Sequence, residues 1–352
     1  MALRLTGASS TRPANLGKPQ NGGFVPIIGG LVDLLPGELS QDVLVVEQHI
    51  REGQFQRGLT FITGMSAILG GLEVAYEHYR GSYSQRVMYT PVIFSGVLAV
   101  ISFISIFSRK IARTLLPVAS LVMLLDGVIG FFFHVRGIAR KPGGWRIPVF
   151  NLIMGPPLFA PLLLCISGFL GFISAFLRRE DDLPVHPVTG VRPHQTRPAG
   201  SRMVPWDASR DFHTLEQDIR EGEFQKLMAA AAALSMIFSG IEALYSHYKN
   251  NFTYKAQWTP IILTPFMVVA GIGSIWSRTL ARTLLPLVSI LALLDGLVGT
   301  FYHIRNILRR PGGLKLPLYN IMYGSPILAP MLLAASGFLG LLASLLRREG
   351  DE

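Results

Sequence analysis

The sequence predicts an all-α polytopic membrane protein: eight transmembrane helices, arranged as two fused, parallel four-helix repeats about a pseudo-twofold axis along the membrane normal. Three observations predict it. Half of the residues are hydrophobic and only 15% are charged, too apolar a balance for a soluble chain of 352 residues. The apolar residues come in blocks of membrane length, where a helix satisfies all its backbone polar groups from within. Finally, Glu47 to Asp182 aligns without insertion on Glu216 to Asp351, at a constant offset of 169, with about two-fifths of the paired positions identical.

The net charge of +10 is spread in short clusters at the ends of the apolar blocks and forms no long basic stripe. It reads as loop charge facing lipid headgroups, and no nucleic-acid partner is expected. A single cysteine, Cys165, excludes an internal disulfide and a thiolate-built metal site. It lies in an apolar run, as an inert buried thiol does.

In chain order, residues 1–39 form an N-terminal tail with a short interfacial segment, Phe24 to Leu35, broken by Pro26, Gly29 and Gly30. No signal-peptide apolar region is evident in the tail. The first repeat, residues 40–182, opens on an amphipathic helix with Ser40 as N-cap. Its spans are expected over 58–79, 91–108, 114–135 and 156–177, with Arg109 to Arg113 as a tight turn and an irregular entry over 147–155. Pro142-Gly143-Gly144 is a turn signal, and Pro148, Pro156, Pro157 and Pro161 break up the start of the last apolar stretch. A Pro- and Arg-containing linker covers 183–207. The second repeat, 208–352, restarts the pattern with spans over 227–248, 260–277, 283–304 and 326–346. Ser167-Gly168-Phe169-Leu170-Gly171 is a small-xxx-small pattern that lets helix backbones approach closely.

Four spans per half is an even number, so both halves enter from one side and the repeats are parallel. The positive-inside rule leans towards both termini in the cytoplasm of a plasma (inner) membrane, against the basic loops around Arg140 and Arg309.

The chain is organised around Leu124-Leu125-Asp126-Gly127, which leads on to His134 and Arg136, and its second copy from Leu293 through Asp295 to His303 and Arg305. A carboxylate inside an apolar helix is costly and marks a candidate site. The first and third spans of a half run in the same direction, so Glu73, His78, Asp126, His134 and Asn151 gather in one half of the membrane. Glu242, His247, Asp295, His303 and Asn320 repeat the arrangement.

Three chemistries compete for these groups. His78 with His134, and His247 with His303, suit the axial positions of a haem b held between two helices, with the imidazoles meeting across a helix pair whose axes lie about 8–10 Å apart. Carboxylate and imidazole also suit a metal ion. However, Glu73 and His78 are five residues apart, about 140° round the helix, which disfavours one ion taking all four groups. The third reading is structural: the histidines snorkel at the interface and each carboxylate bonds to the other or to nearby backbone. His186, His194 and His213, in or beside the linker, are not expected ligands.

No nucleophile elbow, P-loop, dinucleotide fingerprint or HExxH pattern is present, so no stand-alone enzyme is expected. Short loops leave little extramembrane surface. The expected role is an anchoring or scaffold subunit of a larger membrane complex, in contact with the bilayer and other subunits, with electron transfer through the paired histidines. A transporter of ions, protons or small molecules through the carboxylates is the alternative.

Overall fold

The computed structural model describes Gly30 and residues 36–179 and 206–348. Most of the expected tail, interfacial segment and linker, with His186 and His194, lies outside these residues.

Helix α1 (Gly37–Arg51) starts after Pro36, whose φ of −53° and ψ of 144° make it the N-cap. Ser40 therefore falls inside the first turn and is not the cap the sequence suggested. Glu47 is buried on this helix beside Arg51. Burial holds its carboxyl above the usual range, with the Arg51 charge pulling the other way. After a turn at Gly53 comes α2 (Gln56–Arg80), whose 25 residues reach about 37 Å. Then α3 (Thr90–Phe107) follows, with Pro91 in its first turn, where the missing N–H costs nothing.

Ser108 accepts from Ile111 N and caps α4 (Arg109–Ala139). The expected tight turn over 109–113 is thus the first turn of a 31-residue helix that carries Pro117 in its interior. In the second half the matching stretch is divided into α10 and α11, with the break at Thr283, three residues before Pro286. Proline removes a hydrogen bond to the residue four earlier, which weakens the turn at that point in both copies.

The last apolar stretch of the first half also differs from expectation. Its entry is a short helix, α5 (Pro148–Ile153), the non-helical part covers 154–159, and α6 (Ala160–Phe176) completes it. Pro156, Pro157 and Pro161 set the break and the restart, with Pro161 in the first turn of α6. The second half contributes α7 (Trp206–Glu221), α8 (Gln225–Lys249), α9 (Thr259–Trp276), α10 (Arg278–Arg282), α11 (Leu284–Leu308), α12 (Pro317–Met322) and α13 (Ala329–Leu345). Among the described residues there is no strand, only one isolated bridge between Phe224 and Arg348.

Six helical segments are long and apolar enough to cross a membrane: 56–80, 86–107, 109–139, 225–249, 255–276 and 284–308. Their outward faces carry exposed Ile93, Val100, Phe107, Phe132 and Trp276, a surface suited to lipid and not to water. The chain is a multi-pass α-helical membrane protein.

In each half the four main helices form a ring. α2 packs on α3 and α6, and α4 packs on the same two, so α2 and α4 stand on a diagonal; α8 and α11 stand likewise in the second half. The tightest contact is between α4 and α6. A Cβ on Gly168 would come within 2.7 Å of Ser120 O, and one on Gly337 within 2.6 Å of Ser289 O, so only glycine allows these backbones so close. The two halves share one core, in which Leu59, Leu170 and Ile173 meet Ile219, Met228 and Leu342.

Three arginines close helix ends at this level. Arg113 donates to Ala175 O at 2.5 Å and Leu177 O at 2.9 Å. Arg179 donates to Ser105 O at 2.9 Å, and Arg348 to Ile275 O at 2.7 Å. Each cation thereby meets the orphan carbonyls and the negative end of a helix.

Candidate functional site

All four histidines predicted as ligands are half-buried near one end of the helix ring. His78 lies in the last turn of α2, with Nδ1 2.6 Å from Met88 O. His134, on α4, has Nδ1 2.5 Å from Pro157 O, and His303, on α11, has Nδ1 2.6 Å from Pro326 O. A carbonyl can only accept, so in each case Nδ1 carries the hydrogen, and in the neutral ring Nε2 keeps its lone pair. His247 packs beside Phe252, with ring centroids 6.3 Å apart. His78 and His134 lie near enough to sense each other's charge, as do His247 and His303. The approach is across the diagonal of the ring, not between neighbouring helices, because α3 and α6 stand on either side.

The helix aspartates, Asp126 buried and Asp295 half-buried, have matching partners. Thr90 Oγ1 donates to Asp126 Oδ1 at 2.6 Å, and Thr259 Oγ1 donates to Asp295 Oδ1 at 2.6 Å. Both threonines open the preceding helix of the ring (α3 or α9), so each bond joins the middle of one span to the start of another. Asn151 Nδ2 donates to Pro142 O at 3.0 Å and Gly144 O at 2.8 Å. Asn320 Nδ2 does the same to Pro311 O at 3.2 Å and Gly313 O at 3.0 Å. These amides fasten the Pro-Gly-Gly turns onto α5 and α12.

Glu73 and Glu242 go elsewhere, and sequence reasoning did not foresee where. Glu242 Oε1 accepts from Phe159 N at 2.8 Å, and the carboxylate also takes Ala160 N. Glu73 accepts from Leu328 N. Phe159 and Leu328 are the N-caps of α6 and α13. Each glutamate therefore caps a helix of the opposite half, where its charge meets the positive helix end. The same seam holds Phe159 stacked on Phe238, centroids 5.2 Å apart, and Tyr76 Oη donating to Met322 O at 2.8 Å.

The expected gathering is thus divided. His78 lies within electrostatic reach of Asp126 and of His134, whereas Glu73 is drawn to the other half and Asn151 to its own turn. Among the described residues no group of three or more His, Cys, Asp or Glu is placed to hold a metal ion. What the arrangement offers chemically is two pairs of imidazoles, of which His78, His134 and His303 turn Nδ1 to a main-chain carbonyl and leave Nε2 as the ligand atom. His213 lies on α7.

The sequence matches no family model, and no curated protein or solved structure is similar to it. The fold and these contacts define a class only: a multi-pass helical membrane protein with half-buried histidines near one end of each helix ring.

Proposed function

We propose that this chain is the membrane-anchoring subunit of a larger complex and carries electrons through a haem b held by His78 and His134 in one half and by His247 and His303 in the other. One observation carries the reading. In each half the two histidines hang from diagonally opposed helices at the same end of the ring, and three of the four rings are held by Nδ1 on a main-chain carbonyl. A ligating histidine is ordinarily oriented in this way through its second nitrogen, which fixes the tautomer and raises the basicity of the first. Met88 O, Pro157 O and Pro326 O supply that orientation here. A bound haem would supply one-electron chemistry. The residues around it would hold the rings in place and exclude water. The anchor role fits the short connections between the described helices, which leave the chemistry that feeds such a chain to a partner subunit.

Absorption spectroscopy of the purified, haem-supplemented protein tests this. The expected spectrum is that of low-spin haem with two imidazole ligands, and His134→Ala and His303→Ala should each remove about half of it. A folded, monodisperse protein with no Soret band would sink the proposal.

The same reading takes eight spans, with α6 and α13 as the fourth span of each half, in a plasma (inner) membrane with both termini cytoplasmic. These two helices have 17 residues, about 25 Å, against a hydrocarbon core of about 30 Å. The short helices α5 and α12 ahead of them lie at the same end and extend the crossing. Single cysteines placed by Ser10→Cys and Gly350→Cys in a Cys165→Ala background should be labelled from the same side of sealed vesicles. Labelling from opposite sides would reject the parallel eight-span arrangement.

A further inference from the structure

Where the two halves meet at the end of α2, a groove of about 500 Å³ opens at the membrane boundary, with Tyr79, Arg80 and Tyr89 from one half facing Met322 and Tyr323 from the other. We propose that this groove binds the phosphate of an anionic phospholipid, with Arg80 supplying the charge and Tyr79, Tyr89 and Tyr323 the hydrogen bonds.

The walls are preformed. Ser82 and Tyr83 adopt left-handed backbone angles, φ +58° and +42°, which non-glycine residues seldom take unless their surroundings impose it. Here the imposition comes from Tyr83 N donating to His78 O at 2.9 Å, and Tyr83 Oη donating to Ala75 O at 3.1 Å holds the ring in place. The turn lays the Tyr83 ring flat on Tyr89, with centroids 4.3 Å apart and planes 13° apart. The volume lies in the range of ordinary ligand sites.

The donors are available. The hydroxyls of Tyr79, Tyr89 and Tyr323 make no hydrogen bond among the described residues, and their side chains are exposed. Arg80 is half exposed, with Glu77 at 3.5 Å and the Tyr76 ring 5.6 Å from its guanidinium carbon. A cation ringed by phenolic donors at the depth of the headgroups matches a lipid phosphate, and the exposed apolar side of α2 at Leu72 and Phe61 continues below it for the acyl chains.

The second half provides an internal comparison. At the matching positions, offset by 169, stand Tyr248, Lys249, Phe252, Trp258 and, from the first half, Met154. The frame is the same: Asn251 and Phe252 have φ +54° and +47°, and Phe252 stacks on Trp258 with centroids 4.1 Å apart. Yet the hydroxyls corresponding to Tyr89 and Tyr323 are gone. The frame stands without them, so folding does not require these hydroxyls. Their presence on one side only points to a ligand that needs hydrogen bonds.

The test is native mass spectrometry of the full chain after reconstitution in nanodiscs of equal phosphatidylglycerol and phosphatidylcholine and extraction in mild detergent. The expected result is one phosphatidylglycerol retained per chain, with retention lowered about tenfold in Arg80→Gln and in Tyr89→Phe/Tyr323→Phe. Lys249→Gln should leave it unchanged. The phenylalanine variants keep both rings, so their folding is not at issue, and unchanged retention in them would overturn the proposal. So would equal retention of phosphatidylcholine, or displacement of the bound lipid by millimolar inorganic phosphate or by a neutral quinone.

Discussion

Replacing Gly222 by alanine is expected to destabilise the protein by about 2–4 kcal/mol, through backbone strain added to an overpacked contact. Gly222 has φ +77° and Gly53 has φ +67°, both in the left-handed region that a Cβ resists. The two turns cross each other where the halves meet. A Cβ on Gly53 would lie 2.5 Å from Arg220 O, and one on Gly222 would press still closer on Arg51 O. A main-chain oxygen cannot swing aside as the tip of a side chain can, so one of the two segments has to move. That movement would disturb its neighbours as well, because Arg178 N donates to Gly53 O at 3.0 Å and Gln56 N to Arg178 O at 3.2 Å. Gly58 is the control: a Cβ there meets nothing within 4 Å, and it sits inside α2, where alanine should stabilise by about 0.5–1 kcal/mol. Thermal unfolding in detergent compares Gly222→Ala, Gly53→Ala and Gly58→Ala. A Gly222→Ala protein that melts with the wild type would mean that the crossing is looser than described.

Much of the helical framework could be read along the chain because its cause is local. Apolar blocks of membrane length, Pro91 and Pro260 at helix starts, and the Pro-Gly-Gly turn after α4 act within a few residues of where they are seen. So does the Ser-Gly-x-x-Gly pattern of α6, whose glycines meet α4 through absent side chains. Errors came where two local signals competed. Arg109 to Arg113 looks like a loop by charge, but Ser108 is a helix cap, and the arginines are accommodated because Arg113 reaches the carbonyls that end α6. The prolines suggest an irregular entry over 147–155 and a span from 156, whereas proline is welcome in a first turn, so 148–153 is helical and 154–159 is the part that leaves the helix.

The site residues were legible as residue types, less so as partnerships. Asp126 with Thr90, and Asn151 with the turn behind it, bridge 36 residues or fewer. The distance between Glu242 and Phe159 is 83 residues, and that between Glu73 and Leu328 is the difference of their numbers, 328 − 73 = 255. Nothing in periodicity reports such a pairing. A faint signal does exist: α6 and α13 start at Phe159-Ala160-Pro161 and Leu328-Ala329-Pro330, with no Ser, Thr, Asp or Asn at the N-cap. A helix that begins at membrane depth without its own cap needs an acceptor from outside. The diagonal placement of the histidine-bearing helices was likewise beyond reach, because the sequence orders helices along the chain and not around a ring.

That borrowed cap makes the second large effect. Glu242→Ala removes the acceptor for Phe159 N and Ala160 N at the head of α6, in surroundings where water is scarce. A buried donor left without a partner costs about 1–3 kcal/mol, and the favourable charge at the helix end, worth about 0.3–1 kcal/mol, is lost as well. Glu242→Gln keeps an oxygen in place and should retain most of the stability, losing mainly the charge contribution. Glu73→Ala should act in the same way on Leu328 N and α13. Because each glutamate belongs to one half and each capped helix to the other, the two losses share the seam, and the double variant should melt well below either single one. Hydrogen exchange separates this from a general loosening. In Glu242→Ala the amides of residues 159, 160, 162 and 163 should exchange faster while those of 328, 329, 331 and 332 hold, and Glu73→Ala should reverse the pattern. Equal exchange at both helix starts in both variants would show that the glutamates do not hold these helices, and the seam would then rest on its apolar contacts alone.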